Sequence, residues 1–158
     1  MRGIKMNVDY INPIYDATNE VFQQILQVEI ERGQLGVKED TITTNQANIS
    51  IGVTGDLKGS IVFSFSEQMA LEIVTQMSGM EMDKLDKFVT SAVGELANII
   101  SGHAMTNLSE KDYQCDIVPP QIIIGENKTI SMATEKILTI PMKTEIGGFE
   151  LNISVSES

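Results

Sequence analysis

Tryptophan is absent from this 158-residue chain, and cysteine and histidine occur once each. These shortages remove much familiar chemistry. A lone cysteine, Cys115, excludes an internal disulfide framework and fits a reducing compartment; the residue itself reads as a small apolar strand residue. With one His and one Cys, no set of side chains has metal-ligand spacing. A Ser-His-Asp constellation would have to pass through His103. Aromatic residues make up 5%, so the core must be built mainly from Ile, Val, Leu and Met. No apolar run reaches membrane length, and MRGIKMNVDYINPIYD at the start lacks the apolar centre of a secretory leader. A soluble, cytoplasmic protein is the expectation. Positive charge is scarce too: 11 Lys and Arg stand against 22 Asp and Glu, a formal charge of −11. That balance disfavours nucleic acid and anionic membrane surfaces as partners. Neither a phosphate-cradling GxxxxGK[ST] nor a GxSxG elbow is present.

What the chain does have is a long amphipathic stretch, Asp83 to Leu108. Leu85, Val89, Ala92, Val93, Leu96, Ile99 and Ile100 recur at helical spacing and define an apolar side. Ser91, Glu95, Asn98 and Gly102 form a second, narrow stripe away from the centre of the first. A solvated helix face is normally rich in Lys, Glu, Gln and Arg. This one carries Asn and Gly, with Gly94 beside it, although Gly costs about 0.8–1.0 kcal/mol relative to Ala in a helix. Something other than helix propensity selected these residues.

The remaining pattern predicts an α+β fold in one domain, residues 1–158. Asn12-Pro13 reads as a helix start, with helical spacing to about Glu31. Ala47 to Thr54 and Gly59 to Phe65 alternate as a hairpin around Gly55-Asp56. Ser66 caps a second helix that Gly79 ends. After the long helix, Tyr113 to Val118 reads as a strand closed by Pro119-Pro120, and Gln121 to Lys128 as a loop or short irregular element. Ile130 to Thr134 and Ile137 to Thr144 read as further strands, Pro141 marking an edge or bulge. Gly147-Gly148 reads as the last hairpin turn before the alternating Phe149 to Val155. Hairpins dominate, so two layers are expected: a mainly antiparallel sheet with helices packed on it.

Glu95 and Asn98 are the residues left to carry chemistry. One reading is a solvated carboxylate with an incidental amide. The other is a pair that positions water: Asn has no useful pKa, but its amide both donates and accepts, and Glu can pair with a cation. His103 lies about 80° round from Glu95, which suits a packed or capping histidine better than a base working with the pair.

Ser91-Ala-Val-Gly-Glu95-Leu-Ala-Asn98 resembles the [DS]xxxExxN signature of the CheC/CheX/FliY group of bacterial chemotaxis phosphatases. Pro119 and Pro120 follow Asn98 after 20 and 21 intervening residues, close to the trailing proline of that pattern. SAVGELANIISGHAMTNL and KTEIGGFELNISVS extend the likeness, and the single signature sides with the CheX branch, since CheC-type members usually carry two. The resemblance implies hydrolysis of the aspartyl phosphate of a CheY-like response-regulator receiver. Asn98 would orient the attacking water and Glu95 would pair with a receiver lysine. Mg²⁺ would belong to the receiver, with no cofactor or metal held by this chain. Gly94 and Gly102 would admit the partner's loops, Ser91 would support the helix face, and Lys87, with Lys84, would either moderate repulsion or be ordinary surface charge. A homodimer joined through sheet edges is implied, with the long terminal strands offering the edge. The alternative is a non-catalytic adaptor of the same fold, binding a receiver or flagellar switch component.

Overall fold

The computed structural model describes residues 8–158, without the side chains of 8 and 133–135. The first seven residues, on which part of the reading of the chain's start rests, lie outside this range. Helix α1 covers Val8–Val21 and passes into a π-helical turn, Phe22–Leu26. Strands β1 (Glu31–Arg32), β2 (Gly36–Thr43), β3 (Ala47–Gly55) and β4 (Leu57–Phe65) precede helices α2 (Glu67–Ser78) and α3 (Lys87–Ser109). Strands β5 (Cys115–Ile117), β6 (Gln121–Ile124), β7 (Thr129–Thr144) and β8 (Gly147–Glu157) follow. Every pairing is antiparallel, and the α+β expectation holds.

The strand alternation sorts residues between the two faces of the sheet. Ile51, Ile61, Ile153 and Leu138 lie opposite one another across β3, β4, β8 and β7, on the face that α1, α2 and α3 cover. Residues from Tyr10 to Val155 share that core. The other face is enclosed as well, because the sheet curls. The β2–β3 run pairs along the β6–β7 run, and Thr44 joins them by bonding Lys128 and Gly125 where the strands kink. Inside the curl sit Ile42, Val62, Met132 and Ile137, with buried Asn48, Thr139 and Asn152. Their polar groups are satisfied as burial demands: Thr139 Oγ1 donates to Asn152 Oδ1 at 2.8 Å, and Asn48 Nδ2 donates to the Asn45 and Ile123 carbonyls.

Several local expectations need correction. Pro13 lies inside α1 rather than opening it, and the helix ends at the π turn, capped by Gln27 with φ 55°, before Glu31. Strands β1 and β2 went unseen because β2 has no apolar alternation; it is largely exposed and bulged at Asp40, and is held by pairing with β7. Gln121 to Ile124 is a strand, not a loop. It and β5 pair with the same β3, separated at Pro119-Pro120, which have no N–H for the ladder. β7 is one 16-residue strand. Pro141 falls in the break between β1 and β2, where its carbonyl accepts from Gly33 N–H at 2.8 Å. The last turn is Glu145-Ile146, and Gly147, with φ 139°, opens β8 where a Cβ would strike the Met69 sulfur at 2.8 Å. β8 is flanked by β4 and β7, so the terminal strand offers no edge.

Candidate functional site

Helix α3 begins where Asp86 Oδ1 accepts the Val89 N–H at 3.0 Å, satisfying one of the donors a helix start leaves open. Val89, Val93, Leu96, Ala97, Ile100, Ala104 and Leu108 are buried along one side, fixing the helix's rotation. Leu85 precedes the helix and is half-buried against the same core. With that side committed, the polar stripe faces outward: Ser91 and Glu95 are exposed, Asn98 and Gly102 half-buried.

Glu95 and Asn98 are three residues apart, hence about 60° and about 4.5 Å along the axis. No hydrogen bond or ion pair engages either side chain among the described residues. Three asparagines by contrast serve the fold: Asn107 donates to the Pro13 carbonyl at 3.1 Å, while Asn48 and Asn152 hold the curl. The Asn98 amide and the Glu95 carboxylate keep their whole hydrogen-bonding capacity for something outside the chain.

The other predicted residues divide. Lys87 is exposed in the first turn of α3. A Cβ on Gly102 would meet nothing within 4 Å, so that position is open to a visitor. Gly94 is buried instead, and a Cβ there would lie 3.3 Å from Ile122 Cδ1; its smallness admits β6 of the same chain. His103 Nε2 sits 3.6 Å from Glu20 Oε1 on α1, a half-exposed seam contact between helices, away from the stripe. Cys115 is a free, half-buried strand residue opposite Gly55. No cluster of three His, Cys, Asp or Glu among the described residues could hold a metal ion. One residue was overlooked: Phe88, seven before Glu95, is 55% exposed, and the heptad spacing puts it on the same face.

The site is therefore a convex helix face. Such a surface cannot enclose a small substrate. It is suited to completing a cavity that a partner supplies.

Comparison with known proteins agrees with this shape. The family model described as Chemotaxis phosphatase CheX matches residues 48–143, a span that includes both Glu95 and Asn98. The chain belongs to the CheX family. The CheY-P phosphatase CheX of Thermotoga maritima is 30% identical over 152 residues, 95% of this chain and 97% of that protein. A CheC-like superfamily protein from Shewanella sp. PV-4 superposes with a TM-score of 0.87 at 32% identity, over 96% of this chain and 99% of its own. The CheX–CheY–BeF3–Mg²⁺ complex of Borrelia burgdorferi contains a chain 31% identical, with a TM-score of 0.78 over 96% of this chain and 100% of that one. The CheX relatives thus share the curled sheet and three helices, not merely an eight-residue signature.

Proposed function

We propose that this chain is a protein phosphatase that hydrolyses the aspartyl phosphate of a CheY-like receiver. The observation that carries the proposal is the free Glu95–Asn98 pair, held outward by a helix whose opposite side is locked in the core. The reaction asks little covalent chemistry of such a protein. Water adds to phosphorus, the bond to the aspartyl oxygen breaks, and a carboxylate leaves with inorganic phosphate as the second product. Phosphoryl transfer of this kind is accelerated chiefly by positioning and charge stabilisation. The Asn98 amide can accept from a water and donate to its surroundings, orienting the nucleophile in line. Glu95 docks the helix by pairing with a receiver lysine. Mg²⁺ enters with the receiver and needs no ligand here.

The relative from T. maritima carries the name of this activity, and the B. burgdorferi complex pairs a relative with CheY, beryllofluoride and Mg²⁺; both support the assignment. Copies of the chain further associate as a homodimer in the cytoplasm. β2 is the edge that suits it, since its one strand partner among the described residues is β7 and it carries exposed Val37 beside exposed Leu35. The direct experiment is phosphate release from a panel of phosphorylated receivers with and without the protein. Acceleration with at least one receiver is expected. Tight binding without acceleration would move the protein to the adaptor reading.

A further inference from the structure

Of five phenylalanines, Phe22, Phe63, Phe65 and Phe149 are buried in the core. Phe88 stands in the first turn of α3 with 55% of its surface open. It lies roughly 20° round from Glu95 and about 10 Å along the axis, so both project from one face. On the opposite flank, Ile122 of β6 leans over Gly94, the residue before Glu95, and is itself 37% exposed. The uncommitted polar pair is thus framed by two exposed apolar side chains from different elements.

We propose that Phe88 is the apolar anchor, and Ile122 the opposing shoulder, that hold the receiver over Glu95 and Asn98. This rests on the receiver reading above. Size supports it: a standard interface covers roughly 800 Å² per partner, a patch about 16 Å in radius. A globular partner centred on Asn98 and Glu95 therefore also covers Phe88. Charge supports it too. The chain carries −11 and an aspartyl phosphate is an anion, so net electrostatics do not draw the two together. Apolar burial is indifferent to that repulsion, and aromatic side chains supply much of the energy at protein interfaces. The anchor is made equally in the bound ground state and the transition state, so it sets affinity rather than the rate of the chemical step.

The test uses the whole chain and a receiver locked by beryllofluoride and Mg²⁺, with single-turnover hydrolysis of the phosphorylated receiver measured in parallel. Phe88→Ala should raise the Kd for the locked receiver about 10- to 100-fold while preserving the saturating rate constant and the unfolding midpoint. Phe88→Leu should recover part of the binding, and Ile122→Ser should weaken it less. Unchanged Kd for Phe88→Ala alongside an active wild type would overturn the anchor and leave the phosphatase standing. A lowered saturating rate at unchanged Kd would also overturn it. Loss of self-association without loss of receiver binding would assign this face to a second copy of the chain. A wild type that neither binds nor hydrolyses any receiver would remove both readings together.

Discussion

At the scale of single residues, the chain separates side chains that work for the fold from those held in reserve. Tyr10 belongs to the first group. Its hydroxyl donates to Glu157 Oε2, and its ring meets Tyr113 edge-on at 5.3 Å, tying α1 to the end of β8. Burial, and then the Glu157 carboxylate, push the phenol well above its ordinary range. The fold thus favours the neutral phenol, whereas the unfolded chain releases that proton near pH 10. The contribution is fully present below that pH and is lost as pH rises through and beyond it. Tyr10→Phe should cost about 1 kcal/mol near neutrality. Its stability should also fall less than the wild type's between about pH 9 and pH 11, as followed by urea denaturation. Parallel pH curves would remove the coupling. Glu95 and Asn98 belong to the second group. They were legible in the sequence because Asn and Gly are poor helix formers on an exposed face. Phe88 was not, since an aromatic residue near the start of a helix is ordinarily read as part of its buried side.

Elements repeat the lesson with different physics. α2 was readable because its cap is local, Ser66 accepting from Met69 N–H at 3.1 Å; α3 was readable from its apolar spacing, although it starts at Lys87, capped by Asp86, rather than at Asp83. The strands β3, β4 and β8 alternate, since one face meets the helices and the other the inside of the curl. β2 obeys neither rule. It exists because β7 offers it a ladder, a long-range cause absent from its own residues. The α1 start was misjudged because Pro at a first helical turn is common, while here the helix extends upstream of Pro13. If α3 is oriented by its buried side, Leu96, fully buried in the core, is the residue to remove. Leu96→Ala should destabilise the protein by about 2–5 kcal/mol through lost transfer energy and an unfilled cavity. An unchanged denaturation midpoint would show the helix rotated away from this orientation.

Across the whole molecule, a curled sheet leaves few edges, and α3 turns its polar stripe outward. The sheet accounts for where copies of the chain can meet. The terminal strand is enclosed on both sides, so the proposed dimer is assigned to an open edge such as β2. Sedimentation across the micromolar range should report a dimer that Val37→Lys weakens while hydrolysis persists; a monomer throughout would remove the association and leave the catalytic reading intact. On the proposed function, the α3 face carries the chemistry and Asn98 is its decisive residue. If its amide orients the attacking water, it contributes mainly in the transition state. Single-turnover loss of receiver phosphate, beside titration with the beryllofluoride-locked receiver, separates the two contributions. Asn98→Ala should slow hydrolysis about 10²- to 10³-fold with binding nearly preserved, while Glu95→Gln weakens the complex itself. Near-normal turnover by Asn98→Ala would contradict the mechanism.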